Sequence, residues 1–384
     1  MSSKTNRIID LDIAEPVIEV SDLIHTDNIL PYEENESTNV NRYTINYLGK
    51  QYNTTIKKDL TDEEYELVVK EFYQRPSKND VINQIKKFHF NNGSKTNHIT
   101  NYFVKDLMAK TKIHYNNWTI EEALQYKPII EFFAGKANKN KKVFPDTMSL
   151  EKKIETAFRL CGFKVASKPS NFPVKVADDI IKKYNINNSI YDFSCGWGVR
   201  LLCSLRNGLD YYGTDPNYIL DERLESLGEL YKQTCGINNK IKIYKHGSEE
   251  YIDELNNKIG LAFSSPPYYN LEDYKIGNQS YHEGVSYEQW KNEYLVPTIN
   301  NVYRYLIQDG IFAINVNNFK KYNDYDLIQD TICISELAGF KLIDVIPLKN
   351  TIRCHGHKEW NGDCGWYDNS ENIFIFSKQS IETK

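Results

Sequence analysis

The second half of the chain alternates short β-rich runs with helical stretches, and this rhythm limits the possible folds more than any other feature. Strands that alternate with helices pair in parallel and form a sheet covered on both faces. Helices are predicted over 175–184, 198–207, 217–234, 287–307 and 325–337. The β-rich runs are Ile190–Phe193, Tyr211–Thr214, Ile241–Tyr244, Ile259–Phe263, Ile311–Val316, Leu342–Ile346 and Ile373–Phe376. No helix is predicted between the last two runs, which suits an antiparallel hairpin at one edge of a seven-stranded, mostly parallel α/β sheet.

The first run of that half ends in a glycine-containing turn that is typical of nucleotide sites. The turn spans Asp192–Arg200 and contains Gly196 and Gly198. Glycine allows close backbone approach, and the following helix presents free N–H groups. Asp215 lies 23 residues after Asp192, at the spacing of an acid that binds ribose hydroxyls. A tight turn of another doubly wound fold is the alternative, and Ser194 replaces the first glycine of the dinucleotide pattern, which disfavours NAD and FAD.

The fourth run leads into a proline-rich tetrapeptide, Ser265-Pro266-Pro267-Tyr268. Here the sequence resembles the S-adenosylmethionine (SAM)-dependent amino-methyltransferases that act on cytosine or adenine in DNA. Their signature is (Asp/Asn/Ser)-Pro-Pro-(Tyr/Phe/Trp) after the fourth strand, and the run Phe263–Tyr274 is similar to its phage and bacterial forms. The turn after Ile190–Phe193 resembles their first motif, and the segment Ser170–Pro173 resembles the one that precedes it. The resemblance covers about residues 165–380.

The resemblance implies a Rossmann-like class I SAM-dependent methyltransferase fold with SAM as the cofactor and no metal. The cofactor-binding residues would be Phe172, Pro173, Asp192, Ser194, Gly196, Trp197, Gly198, Asp215, Pro216 and Ser248. The catalytic residues would be Ser265, Pro266, Pro267 and Tyr268. Glu249, beside Ser248, is a further candidate for the cofactor adenine, and 272–274 are candidates for ordering the catalytic loop; surface loop is the alternative for both.

The chemistry of a base amine explains these residue types. Its lone pair is delocalised into the ring, so the site must align the nitrogen with the methyl group and accept hydrogen bonds from its N–H groups. The Ser265 hydroxyl and the Pro266 carbonyl are suitable acceptors, held in place by the two prolines. Tyr268 is suited to stacking on a base flipped out of its duplex. An ordinary proline-rich turn is the alternative.

Two features narrow the target. Methylation of cytosine at C5 needs a Cys nucleophile directly after Pro, and none of the seven Cys follows Pro. Within the family that the sequence resembles, Ser at the first position of the tetrapeptide is commoner in enzymes that act on cytosine, and Asp or Asn in those that act on adenine, so the resemblance favours cytosine. The partner is therefore expected to be nucleic acid, DNA before RNA, as in DNA modification and restriction–modification. Alternatives are an RNA or small-molecule amine methyltransferase, transfer of a larger group to a base, and a non-catalytic binding protein of the same fold.

The first half is expected to be an accessory region. Residues 1–40 are acidic and predict a flexible arm, 41–165 predict a mainly helical substrate-recognition region, and 166–384 form the methyltransferase domain. A hairpin is expected over 43–58, and helices over 61–73, 78–89, 98–111, 119–134 and 149–161. Since no recognition domain follows the tetrapeptide, recognition is assigned by elimination to 1–165.

Composition bears on the charge distribution of the chain and on the cellular location that is expected for it. The net charge is −5, yet residues 136–183 hold 12 Lys/Arg against 5 Asp/Glu, a stripe suited either to phosphates or to solvated helix faces. No apolar run long enough for a membrane span and no signal peptide is found, and the scattered Cys suit a cytoplasm, bacterial or phage-infected. Residues 349–370 predict an aromatic and polar insertion that touches substrate. Its Cys354, His355, His357 and Cys364 fit no standard zinc spacing, and surface loop is the alternative.

Overall fold

A computed structural model gives the architecture of the chain. It describes residues 43–47, 50–54, 59–112, 118–131, 134, 145, 147–150, 152–154, 156, 169–186, 188–274, 278–318, 325–348 and 371–379. The chain divides into two compact units: one holds 1–74 and 121–161, and the other holds 75–120 and 162–384. The predicted boundaries after residues 40 and 165 stay predictions.

The first unit contains a hairpin and a capped helix. The hairpin is antiparallel and pairs Tyr43–Tyr47 (β1) with Lys50–Thr54 (β2), as predicted. The helix Asp62–Tyr73 (α1) begins at Thr61, whose side chain accepts a hydrogen bond from Glu64 N while the Glu64 side chain accepts one from Thr61 N. This reciprocal capping satisfies two N–H groups that a helix start leaves unpaired, which confirms the predicted start.

The second unit is built on a seven-stranded sheet. Its order is β5-β4-β3-β6-β7-β9-β8, with β9 antiparallel to both neighbours and all other pairs parallel. The expected mostly parallel seven-stranded α/β fold is confirmed. The strands are β3 Ser189–Asp192, β4 Asp210–Thr214, β5 Ile241–Tyr244, β6 Ile259–Ser264, β7 Leu306–Val316, β8 Phe340–Leu348 and β9 Glu371–Lys378.

The helices of this unit include two that precede the sheet in sequence. The named helices that follow α1 are α2 Lys78–His89, α3 Thr96–Lys110, α4 Ile120–Leu124 (121–124 belong to the first unit), α5 Val174–Lys183, α6 Val199–Arg206, α7 Tyr218–Cys235, α8 Tyr287–Trp290 with a π-helical turn Lys291–Leu295, α9 Val296–Tyr305 and α10 Leu327–Leu337. Helices α2 and α3 both pack on α7. Each predicted crossover helix is present within two residues of its expected start.

The end of the sheet refines one prediction. The last two strands do pair in antiparallel fashion, from Phe340 opposite Lys378 to Leu348 opposite Glu371. However, β9 lies between β7 and β8, so β8 is the outermost strand on this side of the sheet. A local pattern of apolar residues reports that a strand exists, but the position of a strand depends on which neighbours bury it.

The core behind this edge is aromatic. The Phe312 ring stacks on Phe376 with centroids 5.5 Å apart, and it lies 5.0 Å from Phe340 and 5.8 Å from Phe193. The Phe312 side chain is fully buried. Rings from three strands and from the segment after β3 therefore pack together and hold these strands in place. Among the described helices, none is both long and apolar enough to cross a membrane.

Replacement of Phe312 by Ala should destabilise the sheet unit by about 3–5 kcal/mol, because it leaves a cavity among three other rings. The measurement is the denaturant midpoint of the transition followed by circular dichroism. Leu337→Ala is the matched control, since Leu337 is 89% exposed and its removal opens no cavity. Equal midpoints for the two variants would show that Phe312 is not a core residue.

Candidate active site at the carboxyl edge of the sheet

The carboxyl ends of parallel strands meet at one edge of the sheet, and the predicted functional residues collect there. Asp192 ends β3, Asp215 follows β4, and Ser265 follows β6. In an open α/β sheet, this edge beside the point where the strand order reverses is where ligands bind. The reversal here lies between β3 and β6, the strands that lead into the glycine turn and the tetrapeptide.

The glycine turn needs glycine at two positions. Gly196 has φ +55° and Gly198 has φ +87°, backbone conformations that other residues avoid. A Cβ atom at Gly198 would lie 2.8 Å from Leu224 Cδ2, so this residue also allows the turn to pack against α7. Gly198 is the N-cap of α6, and Ser194, Gly196 and Trp197 are partly exposed. The turn thus offers accessible residues next to a helix start, as a nucleotide site requires.

A buried ion pair holds this turn in place. Asp192 Oδ2 accepts hydrogen bonds from Arg200 Nε at 2.8 Å and from Tyr211 Oη at 2.9 Å, and Asp192 Oδ1 accepts one from Ser264 Oγ at 2.8 Å. Arg200 Nη2 also donates to the Ser194 carbonyl. The Asp192 side chain is fully buried. Asp192 therefore has a positioning role, and its predicted contact with the cofactor stays a prediction.

The Asp215 carboxyl is buried at this edge, beside the glycine turn. Burial raises its pKa to about 7, against the opposing effect of hydrogen bonds from the backbone N–H groups of Asn217 and Gly196. The Asn217 N–H lies 3.0 Å from Asp215 Oδ1. A carboxyl that accepts a hydrogen bond from the glycine turn at this edge of the sheet is placed to accept further ones from ligand hydroxyls when it is ionised. Pro216, next to it, is partly exposed.

The segment after β5 is attached to α9. Ser248 is buried, and its hydroxyl lies 2.9 Å from Thr298 Oγ1. Asn301 Nδ2 donates to the carbonyls of Ser248 and Glu249, each at 3.0 Å. Burial raises the pKa of Glu249, and its Oε2 is buried with no hydrogen-bond partner among the described residues. An unsatisfied buried oxygen fits a site that a ligand donor completes.

The segment 171–173, which precedes α5 and the sheet in sequence, lies against β6, the strand that leads into the tetrapeptide. The Phe172 ring meets the Phe263 ring edge-on at 5.4 Å, and the Arg200 guanidinium lies 5.7 Å from the Phe172 centroid. Pro173 is the N-cap of α5. Asn171 Nδ2 donates at 2.9 Å to Asn97 Oδ1 and to Thr100 Oγ1 in α3. Helix α3 therefore holds the segment that the resemblance assigns to the cofactor.

The tetrapeptide loop is fixed at both ends. At its start, Ser264 donates to the Asp192 carboxylate and to the Ser194 carbonyl, at 2.8 and 3.0 Å. After it, Asp273 pairs with Lys112 through two backbone hydrogen bonds of 2.9 and 3.1 Å. Tyr269 adopts φ +56°, an uncommon conformation outside glycine that the packed loop enforces. The Tyr274 hydroxyl donates to Glu272, whose pKa burial raises.

The two side chains of the tetrapeptide share one partner that the sequence does not single out. Ser265 Oγ donates to Asn315 Oδ1 at 3.1 Å, and Tyr268 Oη donates to the same atom at 2.9 Å. The Tyr268 side chain is 8% exposed and belongs to the apolar core cluster. Its predicted stacking on a base stays a prediction.

Sequence reasoning missed Asn315, Ser264 and Arg200 as parts of this site. A weak signal exists for Asn315, because it interrupts the apolar run Ile311–Val316. The predicted residues Asp192, Asp215 and Ser265 lie at or directly after strand ends of one sheet edge, and the roles assigned to them stay predictions. Residues 349–370, with the possible zinc ligands Cys354, His355, His357 and Cys364, lie outside the described residues.

Comparison with known proteins bears on the fold alone. No protein-family model and no curated protein matches the chain. Solved structures that are similar include a TehB-like SAM-dependent methyltransferase from Corynebacterium glutamicum, with 15% identity over 53% of this chain and 88% of that one and a TM-score of 0.32. A putative SAM-dependent methyltransferase from Listeria monocytogenes has 13% identity over 54% and 99% and a TM-score of 0.33. The cyclase SpnF has 12% identity over 54% and 80% and a TM-score of 0.37.

These low scores carry no argument about activity. The fold rests on the chain itself: the strand order with its one antiparallel member, the glycine turn after β3 and the acid after β4. It is a Rossmann-like, seven-stranded and mostly parallel α/β fold, and the narrower class I SAM-dependent methyltransferase class stays what the resemblance implies.

Replacement of Gly198 by Ala should cost more stability than replacement of Gly208 by Ala. Both residues have positive φ, so each variant bears backbone strain of about 1–2 kcal/mol. Only Gly198 has a neighbour within 4 Å of the added Cβ. The difference between the two free energies of unfolding should be about 1–3 kcal/mol, the cost of overpacking. Equal losses would mean that the turn does not pack on Leu224.

Proposed function

We propose that the chain transfers a methyl group from SAM to the exocyclic amine of a base in DNA, with cytosine favoured over adenine. One observation carries the proposal: the Ser265–Tyr268 loop leaves β6 directly beside the glycine turn, to which Ser264 ties it. The acceptor loop and the candidate cofactor turn are thus one hydrogen-bonded unit. Methyl transfer needs this proximity, because the amine and the methyl donor must be aligned within one site.

The residues present fit SAM. The Asp215 carboxyl beside Gly196 suits ribose hydroxyls, and the unsatisfied Glu249 Oε2 suits the amino group of adenine. When bound, SAM supplies an activated methyl group on a sulfonium. Cofactor binding is therefore assigned to the glycine turn, Asp215 and the segment after β5.

The substrate side is assigned to the tetrapeptide. The Ser265 hydroxyl and the Pro266 carbonyl accept hydrogen bonds from the two N–H groups of the amine and hold its nitrogen in line with the methyl group. The amine becomes positively charged as the new N–C bond forms, and these acceptors stabilise that charge. The methylated amine then releases its extra proton to water. Two prolines and the two backbone hydrogen bonds between Lys112 and Asp273 keep the acceptors in place before substrate arrives.

Nucleic acid as the partner is supported by resemblance and by the composition of residues 349–370, which is aromatic and polar. The two residues that flank this segment in sequence, Leu348 and Glu371, face each other in the sheet register, and Glu371 begins β9 next to the carboxyl end of β7. Aromatic side chains together with Arg353 and Lys358 are of the types that stack on bases and contact phosphates. The basic stretch contributes less than its charge suggests, since Lys175, Lys182 and Lys183 pair with acidic residues.

Direct assay is the decisive test. The protein and SAM are incubated with unmethylated DNA and, separately, RNA, and the digested nucleosides are identified by mass. N4-methylcytosine or N6-methyladenine from DNA is the expected product. A product from RNA alone would favour the RNA alternative, and a product heavier than one methyl group would favour transfer of a larger group. No product despite measured SAM binding would favour a binding protein or a small-molecule enzyme.

Ser265→Ala should lower kcat about tenfold or more while the SAM affinity changes little, because it removes one acceptor of the amine and leaves the glycine turn intact. Ser226→Ala is the matched control, since Ser226 is on the exposed face of α7 and bonds only to the Glu222 carbonyl among the described residues. Loss of SAM binding in Ser265→Ala would show that this residue serves the cofactor instead.

The affinity for SAM should rise with pH through the pKa of Asp215, about 7. Below that pH the carboxyl is protonated and accepts hydrogen bonds weakly; above it the carboxylate binds hydroxyls more strongly, by roughly tenfold in affinity. Calorimetric titrations at several pH values measure this. Asp215→Asn is the comparison, because an amide does not titrate and its pH profile lacks this component. Parallel profiles for both proteins would remove Asp215 from the ribose site.

A further inference from the structure

A single buried amide interrupts the apolar strand β7 at the catalytic edge. Asn315 is 2% exposed, between Ile314 and Val316, which are fully buried. An amide taken out of water costs free energy unless its donors and acceptor find partners. The partners of Asn315 therefore indicate what this residue does.

The orientation of the Asn315 amide is fixed by the neighbouring strand. Asn315 Nδ2 donates to the carbonyl of Asn372 at 3.0 Å. Asn372 is at the start of β9, opposite Val316 in the antiparallel register. The reverse orientation would place two carbonyl oxygens against each other. Asn315 Oδ1 must therefore face the tetrapeptide.

This orientation sets the polarity of both tetrapeptide hydroxyls. Each hydroxyl has one hydrogen, and Ser265 and Tyr268 both direct theirs to Asn315 Oδ1, at 3.1 and 2.9 Å. The two hydroxyl oxygens lie farther from each other, at 3.3 Å. With its hydrogen committed, Ser265 Oγ presents only lone pairs to any further group.

We infer that Asn315 is a positioning residue that makes Ser265 an obligatory hydrogen-bond acceptor, so that the site selects an amino group over an oxo group at the same position of a base. The inference rests on the proposed function and specifies its substrate. An amine donates to Ser265. An oxo group would place an acceptor against an acceptor, and the rotation of Ser265 that could relieve the clash would break its bond to Asn315. Cytosine is thus preferred to uracil, and adenine to hypoxanthine.

The test compares short single-stranded oligonucleotides that differ only in the base: oligo-dC against oligo-dU, and oligo-dA against oligo-dI. Fluorescence anisotropy measures their affinities in the presence of S-adenosylhomocysteine. Contacts to phosphates cancel within each pair. For the wild-type protein, at least one amino member should bind about tenfold more tightly than its oxo counterpart. Asn315→Leu should reduce that ratio to near one, because the Ser265 hydrogen is then free to turn toward an oxo group.

Two further variants separate positioning from structure. Asn317→Leu is the matched control: Asn317 is also a buried amide on this segment, and it makes no hydrogen bond to Ser265 or Tyr268 within the described part of the chain. It should keep the wild-type ratio. In Asn315→Asp, a protonated carboxyl can donate its O–H to the Asn372 carbonyl and offer its other oxygen to both hydroxyls, so below the pKa of that carboxyl this variant should keep more of the ratio than Asn315→Leu. Thermal melting of each variant shows whether it is folded.

The outcomes distinguish the inference from the proposed function. A wild-type protein without amino preference in either pair would overturn the proposed amine chemistry. A wild-type preference that Asn315→Leu retains to the same extent as Asn317→Leu would overturn the role of Asn315 alone. If Asn315→Leu does not fold, Asn315→Asp and Ser265→Ala decide. The role of Asn315 requires Ser265→Ala to lose the ratio and Asn315→Asp to keep most of it, and any other pattern overturns it.

Discussion

The buried pair of Asp192 and Arg200 is the interaction on which the edge depends. Taking two charges out of water is costly, and the cost is offset only when further hydrogen bonds satisfy the remaining donors and acceptors. Here those bonds come from Tyr211 on β4, Ser264 on β6 and the Ser194 carbonyl. The pair therefore ties three strands, β3, β4 and β6, and the glycine turn into one unit. Loss of either charge would leave the other buried without a partner, which links the geometry of the candidate cofactor turn to that of the catalytic loop.

Local sequence patterns were sufficient to predict most of the fold, and the resemblance drew attention to the tetrapeptide. The strand–helix alternation predicted each strand of the sheet, and the Thr61–Glu64 pattern predicted a helix start that the structure confirms. The place of β9 between β7 and β8 was not predictable, because it depends on burial between strands. A long separation in sequence explains two of the three missed residues. Asn315 lies 50 residues from Ser265, and Ser264 lies 72 residues from Asp192, so no local spacing reports their contacts.

Helix α3 changes how the first half of the chain relates to the site. The sequence suggested one accessory region over 41–165, whereas α2 and α3 belong to the compact unit that holds the sheet. Asn97 and Thr100 hold Asn171, beside the cofactor segment, and Lys112 holds Asp273 behind the catalytic loop. The region around α3 thus supports both halves of the candidate site. Recognition by 1–165 stays a proposal, and within that range α3 and the residue that follows it have a further role in positioning.

The reversed direction of β9 has a consequence for how such a protein can diversify. Because Leu348 and Glu371 are partners in the sheet, the chain between them can lengthen, shorten or change composition without altering the register of any strand. Glu371 is one residue from Asn372, whose carbonyl fixes Asn315 and through it Ser265. A single residue boundary in the antiparallel strand thereby separates the segment between β8 and β9 from the hydrogen bonds that fix the tetrapeptide. New target preferences could be introduced there by exchanging one segment, while the chemistry at β6 and β7 is inherited unchanged.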